Sequence, residues 1–262
     1  MRILLIDGLN LIRRVYAAVP GEPGTPTHDE DALLSITRSV GRAVGDAGAT
    51  HAICVMDSPG PGWRHEILPQ YKAARPSMPD ALTRVLPEIA GALEALGVPS
   101  VAVPDYEADD VLAGIAHKLA ARPALHVIVL STDKSMLSLL PLGVTVRHHF
   151  EQRDLGPAFV YERYGVAPEQ LLDWMALVGD AGQGVPGAKG VGQKSASALL
   201  SRYADLDAIF HADIDADRDN ARALSAAQRD AGMVRLSRRL VTLRIDANAG
   251  INLQACRVKS TQ

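Results

Sequence analysis

Ile3-Leu4-Leu5-Ile6-Asp7-Gly8 is a short unbroken apolar run that stops at an aspartate. Continuous rather than alternating hydrophobicity suits a strand covered on both faces, as in parallel sheets. Asp7 therefore stands at the C-terminal end of a strand. Ligands bind along that edge in open α/β sheets, although Asp-Gly also serves as an ordinary turn pair. The pattern recurs downstream. Ala52-Ile53-Cys54-Val55-Met56 runs straight into Asp57, and the apolar run 125–130 gives way to Ser131-Thr132-Asp133-Lys134. Helices are expected over 10–16, 31–44 and 81–96, a Gly/Pro-rich loop over 20–26, and further strands over 100–103 and 144–147. Strands alternating with helices predict an α/β domain with a central, mostly parallel sheet.

The strand at 100–103 leads into Pro104-Asp105-Tyr106-Glu107-Ala108-Asp109-Asp110 and then the apolar run Val111-Leu112-Ala113-Gly114-Ile115-Ala116. Asp105 is the expected N-cap of a helix, with the following acids in its first turn. The helix dipole favours carboxylates there by ~0.3–1 kcal/mol each, so capping accounts for one or two of them. Three packed together repel one another, and hard oxygen ligands suit magnesium or manganese. On this stretch alone both readings stay open. Strand ends that bring Asp7, Asp57 and Asp133 to the same edge favour the metal.

Composition bounds the rest. A chain of 262 residues with 47% hydrophobic content can hold one large domain, or a core domain plus a smaller one. No apolar run approaches a membrane span, and the N-terminus lacks a signal-peptide pattern, so a soluble, cytoplasmic protein without membrane partners is expected. Cys54 and Cys256 suggest neither a disulfide framework nor a zinc site. The net charge of -3 sets up no global basic field, so a polyanion must be held by a local patch. With 4% aromatic residues, base-stacking platforms are not the main source of affinity.

Two further stretches carry chemistry. Residues 58–79 form a long connection in which five prolines share space with Trp63, Arg64, His65, Tyr71, Lys72 and Arg75. Long connections without a regular core are usually lids or binding loops, and this one brings positive charge near the acids. From about Val160 the pattern is helical only. Between two helical runs stands Val185-Pro186-Gly187-Ala188-Lys189-Gly190-Val191-Gly192-Gln193-Lys194-Ser195-Ala196, a glycine-rich hairpin whose amides and helix start suit phosphate. Arg235, Arg238, Arg239 and Arg244 follow, read mainly as solvated faces.

Taken in order, Ile6-Asp7-Gly8-Leu9-Asn10-Leu11-Ile12-Arg13-Arg14, Gly62-Trp63-Arg64-His65, Tyr71-Lys72-Ala73-Ala74-Arg75-Pro76, Glu107-Ala108-Asp109-Asp110, Ser131-Thr132-Asp133-Lys134 and the 185–196 string resemble the bacterial 5′-to-3′ exonuclease and flap endonuclease superfamily, and within it the stand-alone Xni branch. The resemblance covers nearly the whole chain. It implies a PIN-like 5′-nuclease catalytic domain over 1–160, with an arch or loop at 58–79 over an acidic pocket. It further implies an all-helical DNA-binding domain of helix-hairpin-helix type over 161–262. The activity implied is magnesium-dependent hydrolysis of DNA at 5′ flaps or 5′ ends of branched duplex, with manganese as a substitute and a monomer as the default state. Asp109 becomes the first candidate for direct magnesium ligand, and Asp7, Asp57, Glu107, Asp110 and Asp133 bind through water or position it. Asp180 is the candidate for a second ion. Lys72 and Arg75 place the scissile phosphate, with Arg64 on DNA beside them. The resemblance also implies potassium on the carbonyls of Leu177, Val178, Pro186, Ala188 and Val191, and a DNA contact on Gly190, Val191, Gly192, Gln193, Lys194 and Ser195.

Two departures from the family pattern bear on turnover. Fully armed members carry a second aspartate two residues after the one matching Asp133, where this chain has Ser135. They also carry one three residues after the one matching Asp180, where this chain has Gln183. A depleted second metal site keeps open a protein that binds flaps or junctions and cuts little. An RNA-cleaving PIN enzyme fits less well, because the hairpin suits duplex DNA backbone.

Overall fold

The computed structural model describes residues 1–259, and the last three positions of the expected 161–262 domain lie outside them. The chain divides into two compact units that interleave along the sequence. The first comprises Met1–Gly62, Pro76–Asp154 and the described part of Arg244–Gln262; the second comprises Trp63–Arg75 and Leu155–Leu243.

The first unit opens with β1 (Arg2–Asp7), which passes directly into α1 (Gly8–Ala18). The Asp7 side chain caps that helix by accepting from the Asn10 N–H. Next come α2 (Pro26–Ala47), β2 (His51–Val55) and, in the second unit, α3 (Trp63–Ile67). Then follow α4 (Asp80–Ala95), β3 (Ser100–Val101), α5 (Ala108–Ala120), β4 (His126–Leu130), β5 (Thr145–His148) and β6 (Arg153–Leu155). The sheet order is β3-β2-β1-β4-β5-β6, and β1 pairs in parallel with both β2 and β4. Ile6 stands opposite Cys54 on one side and Leu130 on the other, so the central strands end almost level.

The pleat divides the core. Leu4, Ile6, Ala52, Cys54, Ile128 and Leu130 share one face and pack under Ile12, Ile36, Val40, Ile89 and Leu93 of α1, α2 and α4. The other face is covered by α5, whose Val111 and Leu112 are fully buried. Burial on both faces is what the unbroken apolar runs require.

Two expectations shift here. The helix predicted to begin beyond Asp105 begins at Ala108, with Glu107 as N-cap. Asp105 instead takes a left-handed φ of 67°, at a bend where a Cβ on Gly62 would come within 2.7 Å of its carbonyl oxygen. The strand expected over 100–103 has only two residues, because its partner β2 ends at Val55.

In the second unit the remaining helices are α6 (Pro157–Tyr164), α7 (Leu171–Val178), α8 (Gln193–Arg202), α9 (Leu206–His211), α10 (Ala221–Arg229) and α11 (Ala231–Val241), with α11 packed on α7. The long connection over 58–79, expected as a lid or binding loop without regular structure, contains α3 and buries Trp63, Leu68 and Tyr71, so apolar anchors make part of it a packed element. Beyond α11 the α-helical pattern expected to continue gives way to extended chain with one 3₁₀ turn, Leu253–Cys256, among the described residues. Residues 244–259 run back over the first unit: the Val258 N–H donates to the Thr50 carbonyl, the Lys259 N–H to the Leu96 carbonyl, and Arg257 bridges His51. This strap crosses α5 at Gly114, where a Cβ would lie 3.1 Å from the Ile245 carbonyl oxygen. Among the described residues no helix is long and apolar enough to cross a membrane.

The turn from β1 into α1 leaves no room for a side chain at Gly8. A Cβ there would meet Met56 Sδ at 2.4 Å and the Val55 carbonyl oxygen at 2.8 Å. Gly8→Ala is expected to destabilise the protein by about 1–3 kcal/mol, read as a lower urea midpoint at unchanged m-value.

Candidate functional site

Asp7 closes β1 and is only 6% exposed. It accepts from the Asn10 N–H at 3.3 Å and from Ser131 Oγ at 2.7 Å, and Ser131 Oγ accepts in turn from the Asp133 N–H at 3.0 Å. Burial pushes the Asp7 carboxyl up to about 7; the Ser131 hydroxyl pulls against this, and the charges of Asp57 and Asp133 add to the rise. Asp57, exposed two residues beyond β2, accepts from the Ala108 N–H at 2.8 Å. It thereby supplies to α5 the cap expected of Asp105. Glu107 and Asp109 lie half-buried at that helix start, whereas Asp110 is fully buried and accepts from the Arg244 N–H at 2.9 Å. Asp133 caps the 3₁₀ segment Lys134–Leu142 through the Ser135 N–H at 2.8 Å.

The acids predicted for a metal thus share the C-terminal edge of the sheet. Among the described residues, however, no three acidic, histidine or cysteine side chains close into a ready metal-ligating group. Asp7, Asp57, Asp110 and Asp133 each accept from a backbone N–H instead. At the depleted position, Ser135 is 6% exposed and its hydroxyl oxygen has no hydrogen-bond partner among the described residues.

The second unit holds the other expected residues. Asp180 caps the turn Ala181–Gln183 by accepting from the Gln183 N–H at 3.2 Å. Gln183 then acts as a strut. Its carbonyl accepts from the Lys72 N–H at 2.9 Å, and its side-chain oxygen accepts from the Tyr71 hydroxyl at 3.1 Å. Lys72 takes a left-handed φ of 56° and sets its ammonium 5.1 Å from the Tyr71 ring centre. Arg75 is exposed. Arg64 requires a correction. Expected on DNA, it is 4% exposed, donates from Nε to the Leu240 carbonyl at 2.8 Å and lies 4.3 Å from the Trp63 ring centre. Its guanidinium ties α3 to the end of α11.

In the glycine-rich hairpin, Gly179 and Gly187 let two chain segments touch backbone to backbone. Both have positive φ; a Cβ on Gly179 would lie 2.7 Å from the Val185 carbonyl oxygen, and one on Gly187 2.8 Å from that of Leu177. This contact gathers the 177–178 and 185–186 carbonyls. Ser237, fully buried, fixes the hairpin by accepting from the Gly187 N–H at 3.0 Å, and Asp230 accepts from the Lys189 N–H at 2.8 Å. Gly190, Gly192, Gln193 and Lys194 are exposed, Val191 is buried, and α8 starts at Gln193 with Gly192 as N-cap and no side-chain cap on its first amides.

Residues 2–165 match the family model described as 5′-3′ exonuclease, N-terminal resolvase-like domain, and residues 166–262 match 5′-3′ exonuclease, C-terminal SAM fold. The chain belongs to the 5′-3′ exonuclease family. A relative in this family, the flap endonuclease Xni of Tolumonas auensis, is 36% identical over 257 residues, covering 97% of each chain. Among solved structures, the bacteriophage T5 5′-exonuclease with bound zinc superposes with a TM-score of 0.74 at 22% identity, covering 93% of this chain and 90% of that one. The T5 flap endonuclease, in a pseudo-enzyme-product complex with DNA and metal ions, gives a TM-score of 0.71 at 21% identity, covering 93% and 89%. These superpositions establish the 5′-3′ exonuclease fold for both units. Sequence reasoning missed Ser131, the Gln183 strut, the Arg244 amide and Ser237, since none has a spacing that announces its partner.

The Asp7 carboxyl predicts a pH dependence. Its folded pKa of about 7 lies above the ordinary 3.8, so folding favours the protonated form. That stabilisation is complete below pH ~4 and is lost as pH rises through ~7. Without metal, Asp7→Asn is expected to melt at least ~3 °C higher than the parent at pH 8 and at nearly the same temperature near pH 4. Thermal unfolding of both proteins in chelator at the two pH values measures this.

Proposed function

We propose that this chain is a magnesium-dependent, structure-specific DNA nuclease that cuts at 5′ flaps and 5′ ends, with a depleted second metal position. The observation that carries the reading is Asp7, whose carboxyl is raised first by burial and then by the charges of Asp57 and Asp133, on the sheet edge where the start of α5 brings its N-cap Glu107 with Asp109 and Asp110. A donor set of hard carboxylate oxygens around a carboxyl that burial disfavours as an anion fits a divalent cation. Magnesium, or manganese in its place, would sit on Asp109, with Asp7, Asp57, Glu107, Asp110 and Asp133 as further ligands directly or through water. Asp180 is the candidate for a second ion. Held by these residues, the ion would supply Lewis acidity to water and to the phosphodiester.

The chain's own residues position the substrate. Lys72 and Arg75 place the scissile phosphate, and the Tyr71–Gln183 hydrogen bond fixes the backbone that carries Lys72. The packed glycines 179 and 187 shape a carbonyl cradle that suits potassium on Leu177, Val178, Pro186, Ala188 and Val191. Gly190 to Ser195 would bind duplex phosphates, because the uncapped amides of α8 suit an anion. In this reading 1–160 is the catalytic domain, 161–262 the DNA-binding domain, and the protein works as a cytoplasmic monomer.

A second reading has its own observation. Gln183 offers an amide already engaged with Tyr71, and Ser135 a hydroxyl, where the family pattern has carboxylates. A protein that grips 5′-flap DNA and cuts little would result. Incubating a labelled 5′-flap duplex with magnesium or manganese, beside a binding assay in calcium, decides between the two. Binding without cutting in either catalytic metal favours the second.

Two variants test the assignments. Asp109→Ala is expected to reduce magnesium-dependent flap cleavage by at least ~100-fold with duplex binding retained; unchanged cleavage would falsify the metal assignment. Lys194→Glu is expected to weaken duplex affinity and to lower the slope of log affinity against log salt by about one.

A further inference from the structure

The first unit also contains a cleft of about 1030 Å³ whose lining includes none of the proposed metal-binding acids. Its floor is one face of α2. Ser35, Arg38, Ser39, Arg42 and Asp46 recur at helical spacing along it, and Arg14 of α1 and the 149–152 turn complete the walls. Three arginines against Asp46 leave the lining cationic. Arg38 and Arg42 are exposed and one helical turn apart, so their like charges repel. Among the described residues no carboxylate forms an ion pair with either. An anion between them would relieve the repulsion.

The opposite wall is aromatic. Phe150 is 42% exposed and lies 5.5 Å from the Arg14 guanidinium, measured to the ring centre. His149 beside it is held by Ser39, whose Oγ lies 2.7 Å from the ring Nε2. Burial, then the Arg42 charge, holds that imidazole below its ordinary pKa, so at neutral pH it serves as a hydrogen-bonding wall. Cation, hydroxyl and exposed ring thus face one space of the size that small-molecule sites take up.

We propose that this cleft binds a nucleotide, its phosphate between Arg38 and Arg42 and its base against Phe150. The ligand chemistry is a phosphate joined to a heterocyclic base. A free mononucleotide or the end of a DNA single strand supplies it equally. The inference stands apart from the metal and hairpin assignments.

The test is calorimetric titration of the full chain in chelator, so that no metal can hold phosphate, with dAMP, inorganic phosphate and a short oligothymidylate. Both arginines are exposed, so R38Q and R42Q keep the fold. Each is expected to weaken dAMP binding about tenfold, the loss of one charge-assisted hydrogen bond. Phe150→Ala should weaken dAMP and leave inorganic phosphate unchanged. An arginine-dependent loss for dAMP and oligothymidylate together supports a site open to free nucleotide; a loss for oligothymidylate alone makes strand DNA the source. Equal affinity of parent and R38Q/R42Q for all three probes, absence of any binding, or a loss confined to inorganic phosphate overturns the proposal.

Discussion

Parallel pairing forces the C-terminal ends of neighbouring strands onto one edge, and the register of β1 with β2 and β4 makes those ends nearly level. A carboxylate following each strand is therefore pressed toward the others. Asp7 is the most enclosed strand-end acid, and its carboxyl is pushed toward neutrality first by burial and further by the charges of Asp57 and Asp133. The surroundings share the cost: Ser131 links Asp7 to the Asp133 amide, and Asp57 caps α5 across the sheet edge. Each acid thus has a mechanical task, as helix cap or turn anchor, besides any electrostatic one.

Much of this was legible in the sequence. Ile3 to Ile6, 52–56 and 125–130 announced strands because burial on both faces demands unbroken apolar runs, and the aspartate after each was a local signal. The start of α5 was displaced because its cap comes from Asp57, fifty-one positions upstream, and no local pattern records such a contact. Arg64 was misjudged for a related reason. A guanidinium looks solvent-bound in sequence, yet Trp63 beneath it and the Leu240 carbonyl beyond it make burial favourable. In the 185–196 string the glycines announce a hairpin, while Gly179, which meets Gly187, shows its role only when the two segments lie together.

Gln183 illustrates how a substitution that looks like loss gains a structural use. An aspartate in its place could accept from Tyr71 but would add a negative charge beside Asp180. The neutral amide keeps the hydrogen bond without that repulsion, and its backbone carbonyl secures Lys72 in a conformation that residues other than glycine seldom adopt. Chemistry given up on one side chain thereby becomes stiffness in the segment next to it.

The strap over residues 244–259 has a consequence in time as well as space. Asp110 is enclosed within the first unit, yet the amide it accepts from belongs to Arg244, and Thr50 and Leu96 likewise wait for Val258 and Lys259. A ribosome delivers those partners only after the whole helical unit has been synthesised. The sheet and its nearer helices can assemble early, but the acidic edge acquires its final shape last, so a nascent or truncated chain holds its acids in an unfinished setting.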